Sequence, residues 1–346
     1  MRVRIKSIVT ETRDAASFEL EPLDESSFNY SAGQFITILF RFSGREIRRS
    51  YSLSSTPGID PFPVITIKRV INGEISRYML EHSKIGDELE ILAPKGLFIP
   101  DLSDSARDIF LLAAGSGISP VFSILKWILH NEPHTQVHLF FQNHSEKSTI
   151  FRQMIEEYAE GFSDRFEWLD FLSNPQAEDA ISERINNEIL EKLVLEKLRF
   201  KFQDARFFIC GPNSFMRMCQ FTLLLMGFDE NQLRREFFLV PPPPPPPLLE
   251  DTTSKRVSVI VSGTAHEFET HYPVTILDAA LHNQIRLPYS CKTGRCAACV
   301  AKCISGKVIM GNNEVLTEAD LEKGLVLTCV GYAESDLQLV YEESNS

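Results

Sequence analysis

The sequence has few cysteines over most of its length and contains no long apolar segment. Only two of its seven cysteines, Cys210 and Cys219, precede residue 290. No stretch reaches the ~18 consecutive apolar residues of a transmembrane helix, so we predict no membrane span. The first residues, Met-Arg-Val-Arg-Ile-Lys, also lack the apolar core of a secretion signal. We therefore predict a cytoplasmic protein whose cysteines are reduced or bound to metal.

The sequence also lacks an excess of positive charge. It holds 35 Lys and Arg residues against 47 Asp and Glu residues, a formal net charge of −12. Binding of nucleic acid needs a basic face, so we predict no nucleic-acid partner. The length of 346 residues and the hydrophobic content of 43% are those of a globular protein with two or three domains.

Hydrophobic patterns divide the chain into three domains and a linker. Residues 1–104 show short alternating or apolar segments between turns, which predict an antiparallel β-barrel. Residues 105–240 alternate apolar strands with helices, which predicts an α/β domain with a parallel sheet. Residues 254–346 begin with a hairpin pattern and a short helix. The linker, residues 241–253, starts with seven prolines; we interpret these as a polyproline II spacer rather than as a docking site for proline-recognition modules.

The α/β domain has four predicted strands, each followed by a predicted helix. The strands are Asp108–Ala113, Val137–Phe141, Phe166–Leu172 and Arg206–Cys210. The helices are Ser119–His130, Lys147–Ala159, Ile181–Lys197 and Ser214–Met226.

Four of the five carboxyl-terminal cysteines have the spacing of plant-type [2Fe–2S] ligands, C-x4-C-x2-C followed after 29 residues by the last cysteine. They are Cys291, Cys296, Cys299 and Cys329. One loop would supply three thiolates and a distant segment the fourth, while Gly294 and the small Ala297 and Ala298 let the backbone approach the sulfurs. A zinc site or free thiols are the alternative, but zinc motifs usually contain two C-x2-C pairs. Cys303 lies outside the pattern, and we interpret it as a buried small residue.

The segment Pro288-Tyr289-Ser290-Cys291 through Cys299 resembles the cluster loop of plant-type ferredoxins. The resemblance implies a β-grasp ferredoxin domain over residues 254–346. That family commonly has glycine where Ala297 stands.

Two short motifs in the first domain are suited to a phosphorylated, aromatic cofactor. Arg49, Tyr51 and Ser52 end an apolar strand; arginine can grip a pyrophosphate, tyrosine can pack on a flavin, and a hydroxyl can reach a ring nitrogen. Alone, the motif also fits an ordinary strand with an exposed arginine. Gly73 to Ser76 would open a short helix whose N–H groups point at an anion.

Two motifs in the second domain follow predicted parallel strands, where ligands bind in open α/β sheets. Gly115, Gly117, Ser119 and Pro120 follow the first of them, and proline is acceptable in the first turn of a helix. Cys210, Gly211 and Pro212 follow the fourth. Cys210 alone could equally be a buried structural thiol.

In this order and spacing, these motifs resemble the ferredoxin–NADP reductase superfamily. The resemblance implies that Arg49 holds the flavin phosphates, Tyr51 stacks on the isoalloxazine and Ser52 lies near its reactive nitrogen. It implies FAD rather than FMN, because a pyrophosphate site is present. The residues implied to complete that site are Lys68, Gly73, Ile75 and Ser76. Gly115 to Pro120 would shape the nicotinamide cleft, with Gly211 and Pro212 beside it.

The resemblance also implies two catalytic residues, Ser52 and Cys210, with Cys210 facing the carbon that donates hydride. Glu236-Phe237-Phe238 matches the acid-x-aromatic ending of the reductase module. Phe238 either caps the domain, which we favour, or approaches the flavin.

The choice of coenzyme depends on Asn143, His144 and Ser145, which end the second strand of the α/β domain where the ribose 2′ position should lie. The family often has arginine where His144 stands, and neutral histidine attracts a 2′-phosphate less. Lys147 could compensate. We predict NADPH or NADH, and favour NADPH.

Together with the ferredoxin-like domain, the resemblance is to reductase components of multicomponent oxygenases, such as the phenylacetyl-CoA oxygenase type. Hydride carries two electrons and a [2Fe–2S] cluster accepts one, so a flavin must stand between them. We therefore predict electron flow from NAD(P)H through FAD and [2Fe–2S] to a partner oxygenase or hydroxylase. The alternatives are a reductase for a desaturase or hybrid-cluster protein, and a redox sensor with a structural cluster.

Overall fold

The computed structural model describes residues 1–23, 28–42, 44–176, 182–238, 245–249 and 251–341. Internal packing divides the chain into two units. The first comprises Met1–Pro94 and Phe98–Phe238, and the second comprises Lys95–Leu97 and the described part of Leu239–Ser346. Residues 241–244 of the predicted polyproline spacer, and Ile181 of a predicted helix, lie outside the described residues.

The amino-terminal part of the first unit is a six-stranded sheet with one helix. Its elements are β1 (Arg2–Thr12), β2 (Ala15–Pro22), β3 (Phe35–Phe42), β4 (Arg45–Ser52), β5 (Val64–Lys68), α1 (Glu74–His82) and β6 (Glu88–Lys95). The strand order is β4-β3-β6-β1-β2-β5, with antiparallel pairing in β1–β2, β1–β6, β2–β5 and β3–β4. An isolated bridge between Leu53 and Ile65 connects the two ends of this order, as in a barrel. The predicted antiparallel architecture is confirmed.

The rest of the first unit is a five-stranded parallel sheet flanked by helices. Its elements are β7 (Asp108–Ala114), α2 (Ile118–Asn131), β8 (Gln136–Asn143), α3 (Arg152–Gly161), β9 (Phe166–Leu172), α4 (Asn187–Lys197), β10 (Arg206–Cys210), α5 (Asn213–Leu225) and β11 (Leu233–Glu236). The strand order is β11-β10-β7-β8-β9, and the four pairings are parallel. The order reverses between β7 and β10, which is where open α/β sheets bind their ligands.

The central strand β7 explains why helices cover both faces of this sheet. All seven of its residues are buried, as expected for a strand in the middle of a parallel sheet. Ile109, Leu111 and Ala113 pack in one apolar cluster with residues of α2 and α3. The alternate residues pack in a second cluster with residues of α4 and α5. Successive side chains of a strand face opposite sides of the sheet, so the apolar residues of β7 contribute to two cores.

Two predicted helices begin later in the structure than in the prediction. The helix expected from Lys147 starts at Arg152, because Ser145 and Ser148 form a capping box around a 3₁₀ turn and Phe151 has a left-handed φ of 61°. The helix expected from Ile181 starts at Asn187. Asn186 caps it, its side chain accepting a hydrogen bond from the N–H of Ile189 at 2.9 Å. The other two helices match the prediction within one residue at each end.

The second unit is a mixed sheet with a short helix packed in its core. Its elements are β12 (Lys255–Val261), β13 (Thr264–Thr270), α6 (Ile276–His282), β14 (Val300–Ser305), β15 (Val308–Met310), α7 (Glu318–Glu322), β16 (Leu325–Leu327), β17 (Gly331–Ala333) and β18 (Leu337–Tyr341). The main sheet has the order β13-β12-β18-β14-β16, with β12 parallel to β18 and antiparallel to β13. This arrangement agrees with the predicted β-grasp domain.

Among the helices of the described residues, none combines the length and the apolar character needed to cross a bilayer.

Candidate functional site

The two glycine-containing loops of the second domain meet at the point where the strand order reverses. Gly117 follows β7, and a Cβ on it would lie 2.1 Å from the carbonyl oxygen of Cys210. Gly211 follows β10, and a Cβ on it would lie 2.9 Å from the Cβ of Ala114. Such close approach requires glycine at both positions. The structure thus brings together the predicted nicotinamide loop, which begins at Gly115, and the Cys210 loop.

Ser119 and Pro120 lie in the first turn of α2 and are buried. The hydroxyl of Ser119 has no hydrogen-bond partner among the described residues. Buried polar atoms are normally paired, so an unpaired hydroxyl beside a ligand loop fits a site that takes a polar ligand. Pro212, in contrast, is exposed at the start of α5.

A buried carboxyl links the two predicted catalytic residues. Ser52, at the end of β4, donates a hydrogen bond from Oγ to Oε2 of Glu236 at 2.7 Å. Glu236 ends β11 and is the register partner of Cys210 on β10. All three side chains are buried. Ser52 and Cys210 are therefore both neighbours of Glu236.

Burial controls the protonation of this group. It raises the pKa of Glu236 to about 8, against the lowering effect of the Ser52 hydrogen bond. Burial, with the nearby Glu236 carboxylate, raises the pKa of Cys210 well above that of a free thiol. Near neutral pH Glu236 and Cys210 are therefore both neutral. The sequence prediction noted Glu236 only as part of a terminal motif and missed its contact with Ser52.

The remaining residues of the flavin motif lie on the opposite side of β4 from Ser52, because alternate residues of a strand face opposite ways. Arg49 is exposed, and its Nη1 donates to the carbonyl oxygen of Arg48 at 2.8 Å. None of the ion pairs among the described residues includes Arg49. Tyr51 is half-buried, and burial raises its pKa to about 12. An unpaired cation beside a phenol that stays neutral fits the phosphates and ring of a flavin.

The predicted pyrophosphate residues are only partly available to a ligand. Gly73 precedes α1, whose first N–H groups have no acceptor within the helix. The Ser76 hydroxyl accepts from the N–H of Val70 at 3.1 Å, and the Ile75 side chain is buried in the barrel core. Lys68 lies 3.8 Å from a carboxylate oxygen of Asp14. The backbone at Gly73, rather than the Ile75 and Ser76 side chains, is therefore suited to bind phosphate.

The predicted ribose residues lie at the end of β8 and in the turn after it. Because β8 pairs in parallel with β7, they lie on the same edge of the sheet as the glycine loops. Asn143 is buried, whereas His144 and Lys147 are exposed. His144 Nδ1 lies 3.2 Å from the hydroxyl of Ser173. The N–H of Ser145 donates to Ser148 Oγ at 2.9 Å. His144 and Lys147 are therefore the predicted side chains accessible to a 2′-phosphate.

The four predicted cluster cysteines are neighbours in the second unit. The N–H of Cys291 donates to Cys296 Sγ at 3.5 Å, and the Cys291 thiol makes hydrogen bonds with Cys296 and Cys329. These bonds hold the pKa of Cys291 well below its usual range. Cys329 also contacts Cys299, and bonding to Cys291 and Cys299 raises its pKa. No group of three or more His, Cys, Asp or Glu side chains in the described ranges has the arrangement of a single-metal site.

Backbone groups and one hydroxyl complete this cysteine loop. The N–H of Thr293 donates to Cys291 Sγ at 3.4 Å. The Thr293 hydroxyl is buried and has no partner in the described part of the chain. Four neighbouring thiols can bind an iron–sulfur cluster, and the unpaired Thr293 hydroxyl could donate a hydrogen bond to one of its sulfurs. Cys303 lies outside this group, its Sγ 3.4 Å from the carbonyl oxygen of Ser305, and is half-buried rather than buried as predicted.

Backbone conformation explains the glycine that the ferredoxin family prefers at residue 297. Ala297 has a left-handed φ of 54°, which costs a residue with a Cβ about 1–2 kcal/mol. Gly294 has a φ of +77°, and a Cβ there would lie 2.7 Å from the carbonyl oxygen of Asn312. The loop thus tolerates alanine at residue 297 with strain and requires glycine at residue 294.

We expect Ala297→Gly to raise the free energy of unfolding of the second unit by on the order of 1 kcal/mol and to leave the cluster in place. Ala298→Gly is the matched control, because Ala298 is equally buried but has no positive φ, and it should destabilise. Urea unfolding, followed by loss of visible absorbance, measures both variants. Equal destabilisation by the two variants would contradict strain at Ala297.

Comparison with known proteins agrees with a flavin site, a nucleotide site and a cluster site in successive parts of the chain. Residues 2–99 match the oxidoreductase FAD-binding domain, residues 111–220 the oxidoreductase NAD-binding domain and residues 259–334 the 2Fe-2S iron-sulfur cluster binding domain. The chain is 32% identical to the ferredoxin reductase component of 3-ketosteroid-9-alpha-monooxygenase from Mycobacterium tuberculosis, over 99% of this chain and 96% of the relative. The chain belongs to the family of ferredoxin–NADP reductase-like [2Fe–2S] reductases.

Two further comparisons support this family. The chain is 32% identical to a component of the 1,2-phenylacetyl-CoA epoxidase of Escherichia coli K12, over 94% of this chain and 92% of the relative. It shares the fold of phthalate dioxygenase reductase, with a TM-score of 0.58, 24% identity and coverage of 98% of this chain and 97% of the other. This reductase-family protein is therefore an oxidoreductase with FAD-binding, NAD-binding and [2Fe–2S] domains, as predicted.

Proposed function

We propose that this protein oxidises NAD(P)H and delivers electrons, through FAD and a [2Fe–2S] cluster, to a partner oxygenase or hydroxylase. The observation that carries the proposal is the contact of Ser52 with Glu236, which places a flavin-domain hydroxyl beside the nucleotide loop of Cys210. Two relatives, a monooxygenase reductase component and an epoxidase component, support an oxygenase as the partner. Bound FAD would accept hydride and release electrons singly.

We propose the predicted domain limits: residues 1–104 for the flavin domain, 105–240 for the nucleotide domain and 254–346 for the ferredoxin domain. The three matched segments, residues 2–99, 111–220 and 259–334, fall inside these limits. Residues 241–253 would then form the linker.

In the proposed hydride site, Ser52 and Glu236 form a proton-holding pair. Their hydrogen bond fixes the position of Ser52 Oγ, and the buried Glu236 carboxyl keeps a proton near neutral pH. If the Glu236 carboxyl donates its proton to Ser52 Oγ, the Ser52 hydroxyl can release its own proton towards the flavin, and Glu236 is left as the carboxylate. The pair would thus supply one proton at Ser52 Oγ while the flavin is reduced. Cys210, a buried neutral thiol, excludes water from the path of the hydride without competing as a nucleophile.

In the proposed flavin site, Arg49 neutralises phosphate charge, Tyr51 covers a face of the ring and the start of α1 at Gly73 supplies N–H donors. Lys68 would add positive charge near the same cofactor. The four ligands proposed for the cluster are Cys291, Cys296, Cys299 and Cys329.

We expect Arg49→Ala to lower the FAD content of the purified protein several-fold, because a charge-assisted bond to phosphate is lost. The measurement is flavin absorbance per polypeptide after gel filtration. Arg48→Ala is the control, since Arg48 pairs with Glu46 at 2.9 Å and should leave FAD bound. Unchanged flavin content in Arg49→Ala would remove Arg49 from the phosphate site.

For the coenzyme we propose NADPH, with NADH as the alternative. Lys147 is an exposed cation next to the end of β8, and His144 adds a hydrogen-bonding ring there. A histidine at this place binds a 2′-phosphate less strongly than an arginine would.

An anaerobic titration of the purified protein tests the proposal. About two irons and one FAD per chain, with bleaching of both chromophores by NADPH, would support it. Faster bleaching by NADH would assign the other coenzyme. A protein that stays colourless after reconstitution with iron, sulfide and FAD would contradict it and favour the sensor alternative. A desaturase or hybrid-cluster acceptor would give the same bleaching, so reduction of the purified candidate acceptors separates these partners.

A further inference from the structure

Ser52 and the Gly117 loop belong to different domains of the first unit, although the proposed function requires their cofactors to meet. Hydride transfer needs the reacting atoms about 3–3.5 Å apart, and a displacement of 1 Å can cost about a hundredfold in rate. The contacts that join the flavin barrel to the nucleotide domain must therefore fix this distance. Several of these contacts lie on α2, the helix that the Gly117 loop opens.

Ser123 on α2 is bonded to the barrel at both its side chain and its backbone. Its Oγ donates to the carbonyl oxygen of Ser55 at 2.5 Å. Its carbonyl oxygen accepts from Oγ1 of Thr56 at 2.9 Å. The N–H of Gly33 lies 3.4 Å from the same hydroxyl. Ser55, Thr56 and Ser123 are each at most 1% exposed, so water does not compete for these bonds.

Lys126, one turn further along α2, adds an ion pair with a buried cation to the same barrel segment. Its Nζ lies 2.5 Å from Oδ2 of Asp60, and that oxygen also accepts from the N–H of Thr56 at 2.5 Å. Lys126 is only 5% exposed. Such an ion pair often adds little stability compared with apolar residues, but it fixes one arrangement, because the buried Lys126 charge would be unfavourable without Asp60.

We propose that Ser123 and Lys126 are positioning residues for hydride transfer. With Ser55, Thr56 and Asp60 they form an interdomain clamp that holds α2 against the barrel. Thr56 follows Ser52 by four residues and Ser123 follows Gly117 by six, so the clamp lies close along the chain to both halves of the proposed hydride site. The clamp includes none of the cofactor-motif residues and acts through the segments that carry them. The inference rests on the proposed function.

Lys126→Met in the full-length holoprotein tests the clamp, since it keeps most of the side-chain length and removes the charge. In anaerobic stopped-flow with NADPH, or with NADH if that is the coenzyme, we expect the limiting rate of flavin reduction to fall ten- to a hundredfold. The dissociation constant of the coenzyme and the FAD content should change less than about threefold. The flavin–nicotinamide charge-transfer band should weaken, and hydrogen exchange at the Thr56 amide should accelerate. Lys126→Arg should recover part of the rate.

Arg107→Met is the matched control. It also removes the cation of a buried pair in the nucleotide domain, with Glu132 at 2.7 Å. Arg107 contacts Asp101 as well, but Asp101 lies in the connection between β6 and β7 and not in a barrel strand. It should lower stability and leave the limiting rate and Thr56 exchange unchanged. Equal rate losses in Lys126→Met and Arg107→Met, or a wild-type rate in Lys126→Met, would overturn the proposal. If Lys126→Met does not fold, Ser123→Ala is judged by the same criteria.

The exchange measurement separates this inference from the proposed function. If the wild-type protein is reduced by neither coenzyme, the proposed function fails, and so does the role of the clamp in hydride transfer. Faster Thr56 exchange in Lys126→Met, without faster exchange in Arg107→Met, would still show that the clamp joins the domains.

Discussion

Cys329→Ser should abolish the visible absorbance and iron content of the cluster while NAD(P)H still bleaches the flavin. Cys329 is the proposed ligand contributed by a segment distant from the cysteine loop, and its thiol contacts those of Cys291 and Cys299. Serine oxygen is a harder ligand than thiolate and binds iron–sulfur clusters less well. The flavin and nucleotide motifs lie in the first unit, so hydride acceptance does not depend on Cys329.

Iron analysis, visible absorbance and anaerobic flavin reduction measure this result. Cys303→Ser is the control because Cys303 contacts the carbonyl oxygens of Ser305 and Gly306 rather than the four thiols. It should retain the cluster. An intact cluster spectrum in Cys329→Ser, or loss of the cluster in Cys303→Ser, would contradict the proposed ligand set. In Cys329→Ser the rate at which one-electron acceptors are reduced should fall because the cluster is lost, whereas bleaching of the flavin by NAD(P)H should be unchanged.

Elements with strong local patterns were predictable from the sequence. β9 and β10 match the predicted ranges residue for residue, because runs of apolar or alternating residues are local signals. The ligand loops after β7 and β10 were predicted in the same way, since both strands end in glycine-containing turns. The strand order that makes their junction a switch point was not predicted. The cysteine spacing likewise predicted four ligands, and the structure brings their thiols together.

Long-range contacts were not predictable, and they decide the details of the site. β11 is only four residues long and carries two arginines, so it has no apolar pattern; its pairing with β10 gives it a place in the sheet. Ser52 and Glu236 are separated by 184 positions, and their bond exists only once barrel and nucleotide domain pack together. The bonds of Ser123 and Lys126 to the barrel likewise form only when the two domains pack together. The shortened α3 reflects competition from Ser145 and Ser148, whose side chains satisfy backbone groups outside a helix.

Glu236→Gln tests the most consequential of these contacts. Glutamine keeps the shape of the side chain and can accept the hydrogen bond of Ser52, but it cannot exchange a proton. A positioned acid or base typically contributes 10²- to 10⁴-fold, so we expect the limiting rate of flavin reduction to fall at least tenfold. FAD content should be unchanged. Glu230→Gln, an exposed carboxyl shortly before β11, is the control and should behave as wild type.

The same variant should change how stability depends on pH. Glu236 has a folded pKa of about 8 against an ordinary value of 4.5. Between these values the folded protein keeps a proton that the unfolded chain has lost. The contribution of Glu236 to stability is thus fully present below about pH 4.5 and is lost as the pH rises to about 8, with a slope of up to about 1.4 kcal/mol per pH unit.

Urea unfolding at pH 5.5 and 8.5 measures this difference. Relative to wild type, Glu236→Gln should gain stability as the pH rises between these values, because glutamine has no proton to lose and no buried charge to form. Glu230→Gln should follow the wild-type dependence. If Glu236→Gln and wild type show the same change between the two pH values, Glu236 is ionised in the folded protein. The neutral proton-holding role proposed for the Ser52–Glu236 pair would then be wrong, whatever the effect on flavin reduction.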